Sequence, residues 1–458
     1  MKKLIFLIML AFSGSAFSQM SNSLTESEKI YGLSKFWQEV NYNFVYYDKV
    51  DKKEWEDLYK KTIVEVQQTK TDYEYYRVME KFCASLKDGH TNVFFPREID
   101  KNINRIDFGA YRFLISNIDG RAVITGINAS KKQEIPIGTE IIKVNGLSSR
   151  QYIKENVEPY ISSSTSYVLE DWGISRMLWA PMGTTFQLEL RLPDGKIKNL
   201  KVTAEKSEEE ELYPPMKQRE LLEFKWLNDG IAYVALNSFD NEKINSLFIE
   251  KLPELYKAKK LIIDLRNNGG GSTWIGKSIF EYLTNDSLLY GSKTQTRQHI
   301  SVYKAWGKWV EPQDTIDNPQ AKQMYSAFRD QTYFDLPYSP EQVDLKAKRI
   351  VVPTVLLIGH NTASAAEDFL IYADNQPHMT ILGEPSFGST GQPLMFDMPG
   401  GGYARICTKK DTYPDGREFV GVGVQPDIMV SKKLSDFLEE KDPVLEKAVE
   451  FLKAKKAL

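Results

Sequence analysis

The sequence contains few of the residues that bind metals or form disulfide frameworks. Among 458 residues there are two cysteines, Cys83 and Cys407, and four histidines. Two cysteines so far apart in sequence do not make a disulfide framework, and a large apolar residue beside each favours a buried free thiol. The histidines lack the spacing of metal ligands, so we expect no metal and no other cofactor.

Charge of one sign and long apolar runs are scarce as well. The formal net charge is −3 without a long basic stretch, which gives no electrostatic reason to expect nucleic-acid binding. One early apolar run, Leu4–Phe12, follows a lysine pair and precedes small residues, so residues 1–18 are expected to be a signal peptide cleaved after Ser18. A membrane span needs about 20 apolar residues, and no run reaches that length. We therefore expect a periplasmic or secreted protein without stable membrane insertion.

The pattern of apolar residues predicts a multidomain chain of the α+β kind with an α/β core. Residues 22–100 have helical periodicity, and Thr25 and Glu28 have the spacing of a capping box at the first helix. Residues 105–205 are short β-rich runs separated by glycine-containing turns, which predicts a β domain with little helix. Strands and helices alternate over residues 220–435, which predicts βαβ connections.

Two further segments depart from this alternation. Residues 285–348 are polar and rich in aromatic residues, and a long excursion of this kind usually covers a site or packs against a neighbouring domain. Residues 442–458 are predicted to form a last amphipathic helix, with Asp442 as its N-cap and Pro443 at the first helical position.

A serine stands where a buried strand is predicted to turn into a helix. Val355–Ile358 is a continuous apolar run typical of a buried strand, and Ala363–Tyr372 has helix-forming composition. Ser364 therefore lies near the positive end of a helix, where free backbone N–H groups can hold a developing oxyanion. Its small neighbours would let a substrate backbone approach. This pattern is typical of a serine nucleophile.

The run Leu261–Gly271 is the second informative segment. A predicted buried strand is followed by two asparagines and three glycines, whose bare N–H groups can converge on an anion. Phosphate binding and an oxyanion hole both fit, and so does a tight strand–helix turn without any ligand. The run matches neither of the two glycine patterns of nucleotide-binding loops, GxxxxGK(S/T) and GxGxxG. Phosphate binding is therefore the weaker choice.

Ser364 needs a base, and His90 is the best placed histidine. It lies in the turn Asp88–Thr91 after a predicted helix, although a lone histidine in such a turn is more often structural. His360 is closer to Ser364 in sequence, but its geometry is unconstrained. His299 and His378 have no supporting context.

Taken together, five segments resemble the C-terminal processing (tail-specific) serine peptidases and their tricorn-core relatives. The segments are LKDGHT, LIIDLRNNGGG, TASAAED, GEPSFGSTG and GVGVQPDI. The resemblance covers nearly the whole mature chain and implies a ClpP/crotonase-like core, with a PDZ-like domain over residues 105–205. It implies that Ser364 is the nucleophile and that the N–H groups of Ala365 and Gly270 form the oxyanion hole. Residues Phe108, Gly109 and Ala110 resemble the carboxylate-binding loop of a PDZ domain, which would bind substrate.

The chain departs from the family pattern around the base. Ser–Lys members of the family carry a lysine after the FG of the GE-x-x-FG segment, where this chain has Ser389. The tricorn-like branch uses the histidine of its LxDGH segment, which is His90 here, with a pKa expected near the ordinary imidazole value of ~6.5. That branch has a serine immediately before this histidine, whereas this chain has Gly89 at that position. The orienting glutamate is replaced by Val420, and Glu418 either takes its role or is an ordinary exposed carboxylate.

These features together predict an exported serine endopeptidase that hydrolyses protein or peptide substrates through an acyl-enzyme at Ser364. The alternative is a catalytically inactive homologue of the same fold that binds peptides or lipophilic ligands. A phosphate-binding enzyme is a weaker third hypothesis. The sequence does not indicate an oligomeric state.

Overall fold

The computed structural model describes residues 23–216 and 218–455. The predicted signal peptide, residues 1–18, lies outside this part of the chain. No helix among the described residues is long and apolar enough to cross a membrane. Cys83 and Cys407 are both buried and free, which confirms the expectation for the two thiols.

The N-terminal region is helical. It consists of α1 (Glu26–Asn43), α2 (Lys52–Gln68) and α3 (Asp72–Ala84), followed by β1 (Asn92–Phe94) and the short α4 (Arg97–Asp100). The first helix begins at the predicted capping box, in which Thr25 and Glu28 each bond the other's backbone N–H. The apolar faces of the three helices meet around Phe36, Trp55 and Phe82, whose rings are in contact. This packing fixes the end of α3, after which the turn containing His90 follows.

A seven-stranded sheet with two helices follows. Its region comprises β2 (Ile103–Asn104), β3 (Asp107–Phe108), β4 (Tyr111–Arg112), β5 (Leu114–Ile118), β6 (Arg121–Asn128), β7 (Glu140–Val144), β8 (Leu147–Ser148), α5 (Ser149–Asn156), α6 (Ser166–Ser175), β9 (Ala180–Pro181), β10 (Thr185–Arg191), β11 (Ile197–Thr203) and β12 (Leu212–Tyr213). The prediction of little helix was wrong, because α5 and α6 together place 18 residues, 8 and 10, in helices. Ser148 caps α5 by accepting a hydrogen bond from the Gln151 N–H.

The remaining chain builds the α/β core. Its elements are β13 (Leu222–Trp226), β14 (Ile231–Leu236), α7 (Lys243–Leu255), β15 (Lys260–Asp264), α8 (Thr273–Phe280), β16 (Leu288–Leu289), β17 (Lys293–Arg297), α9 (Ser301–Gly307), α10 (Pro319–Phe328), β18 (Tyr333–Asp335), β19 (Glu341–Gln342), β20 (Thr354–Ile358), α11 (Ala365–Ala373), β21 (Met379–Gly383), β22 (Pro393–Asp397), β23 (Tyr403–Cys407), β24 (Lys409–Thr412), β25 (Ile428–Met429), α12 (Leu434–Leu438) and α13 (Pro443–Ala454).

The central sheet of this core has the order β13-β14-β15-β20-β21-β25, and all neighbours after the antiparallel β13 are parallel. Both faces of the sheet are covered. Along β20, Val355 and Leu357 pack with α13, whereas Leu356 and Ile358 join the large cluster that includes α11. Burial on both faces is why this strand reads as a continuous apolar run.

The excursion over residues 285–348 packs against the N-terminal helical region. The Arg297 guanidinium donates to the Asn41 carbonyl at 2.6 Å, and the Tyr333 hydroxyl donates to the Val45 carbonyl at 2.8 Å. Its exposed Trp306 and Trp309 do not line the pocket that contains Ser364. Two roles are expected for such a segment, covering a site or packing against a neighbouring domain. The observed contacts correspond to the second role.

Candidate active site

Ser364 lies on a sharp turn between β20 and α11, as the sequence predicts. Its φ is +55° and its ψ is −122°, a conformation that costs a non-glycine residue about 1–3 kcal/mol. Thr362 ties the turn down, because its hydroxyl donates to the Leu265 carbonyl at 2.9 Å and accepts from the Gly359 N–H at 3.1 Å. A strained serine held between a strand and a helix is typical of a nucleophile turn.

The two predicted oxyanion donors lie side by side but differ in their hydrogen bonding. A Cβ on Gly270 would stand 2.7 Å from the Ser364 Cβ and 2.9 Å from the Ala365 N, so only glycine fits there. Within the described residues the Ala365 N–H makes no hydrogen bond. The Gly270 N–H instead donates to Asn268 Oδ1 at 3.0 Å. Ala365 therefore has a free donor at the nucleophile, and the role of Gly270 stays a prediction.

The buried carboxyl group of Glu367 connects the nucleophile turn to the loop that contains Ser389. It accepts hydrogen bonds from the Ser364 N–H at 3.0 Å, the Ser386 hydroxyl at 2.5 Å, the Gly388 N–H at 2.8 Å and the Ser389 N–H at 3.3 Å. Burial raises the pKa of Glu367 to about 8 against the opposing effect of these donors. Sequence reasoning assigned this residue no task, although its three-residue spacing from Ser364 is that of a capping box.

His90 and Ser364 line the same pocket, whose volume is about 620 Å³. His90 lies in the turn after α3, where Asp88 accepts a hydrogen bond from the Thr91 hydroxyl at 2.6 Å. Its Nδ1 lies 2.7 Å from the hydroxyl oxygen of Ser389, a residue 299 positions later in the sequence. In the described part of the chain its Nε2 makes no hydrogen bond, and none joins His90 to Ser364. The structure therefore brings the predicted nucleophile and base to one pocket, with one imidazole nitrogen free.

The environment of His90 keeps its imidazole neutral. Burial of the ring, followed by the positive charges of Arg405 and Lys409, lowers the pKa of His90 to about 4. The expectation of a pKa near ~6.5 is corrected accordingly. A neutral imidazole at ordinary pH is the form that can accept a proton.

Glu418 does not contact His90, which corrects the prediction that it orients the base. Its carboxylate pairs with Lys410 at 2.9 Å and Lys49 at 3.6 Å, and the hydrogen bond from Lys410 lowers the pKa of Glu418. The side chain is 49% exposed. Val420, at the position of the family's glutamate, is buried among apolar residues. The hydrogen-bond partner of His90 is the Ser389 hydroxyl instead.

Gly89, where the tricorn-like branch has serine, is required by close packing. A Cβ at this position would lie 2.7 Å from Phe387 Cε1 and 3.1 Å from the Ser389 Oγ. The Gly89 N–H donates to the Ser164 hydroxyl at 2.9 Å. The space that a serine would need at position 89 is thus filled by the loop that orients His90.

The predicted carboxylate-binding loop does not present a free set of N–H groups. Phe108 is buried and packs against Phe113 in the core of the β domain. The Gly109 N–H donates to the Glu205 carbonyl at 2.9 Å, and the Ala110 carbonyl accepts from Asn128 at 3.1 Å. These residues close a hairpin, and the Gly109 N–H is already bonded, so the assignment of Phe108, Gly109 and Ala110 to substrate binding stays a prediction without support from these contacts.

The three other histidines have partners away from Ser364. The His360 ring stacks on Tyr167 and bonds Asp171 through Nδ1 at 2.6 Å. Burial alone would lower the pKa of His360, but the hydrogen bond and charge of Asp171 outweigh it and raise that pKa. His299 and His378 bond backbone carbonyls. No group of three or more potential metal ligands lies close together in residues 23–216 and 218–455.

Comparisons with known proteins show similarity to peptidases. Residues 230–430 match the model of Peptidase family S41. The chain is 20% identical over 371 residues to a carboxyl-terminal-processing protease from Picosynechococcus sp., and the match covers 80% of this chain and 75% of that protein.

Solved structures share the overall fold. The structure of mature CPAF complexed with lactacystin has a TM-score of 0.64 and 15% identity, covering 93% of this chain and 98% of that chain. A second structure of mature CPAF has a TM-score of 0.62 and 14% identity, covering 93% and 96%. These similarities support the mixed α and β multidomain fold class.

Proposed function

We propose that this chain, a serine-type peptidase whose residues 230–430 match the model of Peptidase family S41, is an exported endopeptidase that cleaves proteins through an acyl-enzyme at Ser364. The observation that carries the proposal is the shared pocket of Ser364 and His90, with a free Ala365 N–H beside the serine. Export is proposed from the signal-peptide pattern of residues 1–18.

In the proposed mechanism the Ser364 hydroxyl attacks the carbonyl carbon of the scissile peptide bond. The Nε2 of neutral His90 accepts the hydroxyl proton as the new C–O bond forms, while Ser389 holds the ring through Nδ1. The Ala365 N–H donates to the oxyanion, and Gly270 joins it if its N–H turns away from Asn268. Such closure on substrate binding fits the looser geometry that free enzymes often have.

The tetrahedral intermediate then collapses to an acyl-enzyme. His90 returns its proton to the leaving amine, the C–N bond breaks, and the C-terminal part of the substrate departs. A water molecule next attacks the ester carbonyl and gives one proton to His90. The ester C–O bond then breaks, His90 returns this proton to the Ser364 oxygen, and the N-terminal product leaves.

Labelling with a fluorophosphonate probe tests this function. We expect covalent labelling of Ser364 and hydrolysis of an unfolded protein, both lost in Ser364→Ala and in His90→Ala. Ser435→Ala removes an exposed hydroxyl far from the pocket residues and serves as the matched control. Melting temperatures of all variants should agree closely, since each change removes few contacts. Absence of labelling and of hydrolysis in the folded wild type would instead favour the inactive ligand-binding homologue.

A further inference from the structure

A second cavity lies beside the catalytic pocket and shares two lining residues with it. Its volume is about 630 Å³, and Trp172 and Arg405 line both spaces. We call it the arginine cavity, because five arginines line it: Arg77, Arg97, Arg105, Arg176 and Arg405. They come from the N-terminal helices, from the β domain and from the α/β core.

The arginine cavity carries an excess of positive charge. Two acidic residues, Glu80 and Asp100, stand against the five arginines. Burial raises the pKa of Glu80 to about 7, although the charge of Arg77 opposes it. Near neutral pH this carboxyl group is therefore partly protonated and offsets less than one full charge.

Within the described residues three of the arginines, Arg97, Arg176 and Arg405, have no carboxylate at ion-pair distance, and Arg97 is exposed to solvent. Arg77 pairs with Glu80 and Arg105 pairs with Asp100, both at 2.6 Å. Arg405 donates through Nε to Asn92 at 2.7 Å, which leaves its other donors unused.

The guanidinium of Arg176 is stacked between aromatic rings and lacks a hydrogen bond. Its central carbon lies 4.3 Å from the ring centre of Trp172 and 5.1 Å from that of Trp179. No ion pair or hydrogen bond from its nitrogens occurs within residues 23–216 and 218–455, and burial lowers its pKa. The guanidinium is half-buried, and the charge of Glu80 acts on it from beyond ion-pair distance. Its planar donor fork therefore remains available and fits a carboxylate.

The arginine cavity lies beside the catalytic pocket on the side of His90. Arg405 on β23 pairs with Asn92 on β1, two residues after His90, and its charge acts on the His90 ring. In the proposed mechanism His90 returns a proton to the leaving amine. A substrate bound in that way would extend the residues after its scissile bond toward the arginine cavity.

We propose that the arginine cavity binds a carboxylate of the substrate on the C-terminal side of the scissile bond, with Arg176 and Arg405 as its anchors. The aromatic walls, among them Trp172 and Tyr403, take the apolar part of the same residue. The carboxylate is either an Asp or Glu side chain or the terminal carboxylate of a substrate cut near its end. This proposal rests on the proposed peptidase function, but it concerns a different set of residues.

Four peptides that share one fluorogenic sequence test the proposal. They carry Glu or Gln at one position after the scissile bond, each with a free or an amidated C-terminus. We expect the wild type to prefer peptides with a carboxylate by about tenfold in kcat/KM, as charged hydrogen bonds allow. A preference within the Glu and Gln pair assigns the side chain, and one within the free and amidated pair assigns the terminus.

Arg176→Gln should abolish that preference while changing cleavage of the uncharged peptide little, because Arg176 does not line the catalytic pocket. Arg176→Lys should keep part of it, and Arg150→Gln, on the exposed surface of α5, should keep all of it. Equal kcat/KM for all four peptides in the wild type would overturn the proposal, as would a preference that survives in Arg176→Gln.

Binding measured without turnover separates this proposal from the proposed function. Fluorescence anisotropy with Ser364→Ala should show about tenfold tighter binding of carboxylate peptides, again lost with Arg176→Gln. If the wild type binds with this preference but cleaves nothing and takes no probe, the peptidase mechanism fails and the carboxylate site stands. Equal binding of charged and uncharged peptides by the folded protein would overturn the carboxylate site.

Discussion

The hydroxyl oxygen of Ser389 lies 2.7 Å from Nδ1 of His90. Ser389 stands where Ser–Lys peptidases that resemble this chain carry their lysine, and it meets the histidine that the tricorn-like branch uses as a base. A hydroxyl can hold an imidazole ring in one orientation and, because it both donates and accepts, it serves either tautomer. Unlike a carboxylate, it adds no negative charge to stabilise the imidazolium. The proposed site therefore combines an oriented base with a low pKa.

Removing the Ser389 hydroxyl should slow the chemical step. We expect Ser389→Ala to lower kcat about fivefold with KM almost unchanged, since one orienting hydrogen bond contributes about 1 kcal/mol. Ser389→Thr, which keeps a hydroxyl, should recover part of the loss. Steady-state kinetics on one peptide measures both, with Ser435→Ala as the control. A wild-type kcat in Ser389→Ala would show that the hydroxyl does not orient the base.

Activity should persist at mildly acidic pH. His90 must be neutral to accept a proton, and its pKa lies at about 4, so kcat/KM should fall only as the pH drops through that value. Arg405→Gln removes a positive charge that lowers this pKa and should move the acidic limb to higher pH. Profiles of kcat/KM between pH 3 and 8 measure the shift, with Arg150→Gln as the unshifted control. An acidic limb near ~6.5 in the wild type would contradict the burial argument.

Restoring the serine of the tricorn-like branch at position 89 should harm the protein. The added Cβ would lie 2.7 Å from Phe387 and crowd Ser389, so Gly89→Ser should cost about 1–3 kcal/mol of stability and reduce activity. Urea unfolding and kinetics measure the two effects. Phe387→Leu should relieve part of the loss when combined with Gly89→Ser. Additive losses in the double variant would place the conflict elsewhere.

Glu367 should give the folding free energy a recognisable pH dependence. Its folded pKa of about 8 exceeds its ordinary value of 4.5, so between these values the folded state holds a proton that the unfolded state lacks. The free energy of unfolding should therefore fall as the pH rises from about 4.5 to 8. Glu367→Gln should have a smaller slope, the remainder coming from groups such as Glu80, and it should be less stable by about 1–3 kcal/mol because an amide nitrogen would face backbone donors.

Urea unfolding at pH 5 and pH 8 measures both effects. Glu446→Gln, an exposed change on α13, is the matched control and should keep the wild-type slope. The same slope in Glu367→Gln as in the wild type would assign the pH dependence to other groups.

The parts of the fold predicted best from the sequence are those where burial leaves a local pattern. The sequence predicts a buried strand over Val355–Ile358, and β20 is observed over Thr354–Ile358 with both of its faces covered. The segment of α6 gave no such signal, since its buried residues Val168, Gly173 and Ile174 do not form a regular stripe. In the structure α6 packs against β5, a contact that cannot be seen in the sequence.

A site residue could be predicted where a sequence motif fixes its position. It could not be predicted where its position depends on strand pairing or on the fold of a distant loop. Ser364 follows from the strand–turn–helix pattern, and its meeting with His90 followed from the family resemblance. Alternation along a strand could not show that Glu418 would face Lys410, because that depends on the bridge between Thr412 and Glu418. Likewise, the contact of Ser389 with His90 depends on the fold of the loop held by Glu367.

The long separation between His90 and Ser389 has a consequence for biosynthesis. The base is made early and the residue that orients it 299 positions later, and β1 after His90 finds its partner strand only when β23 arrives. A nascent chain, or a fragment that ends before residue 389, therefore lacks the hydroxyl that contacts His90. In the proposed mechanism the base becomes oriented only after most of the polypeptide has been made.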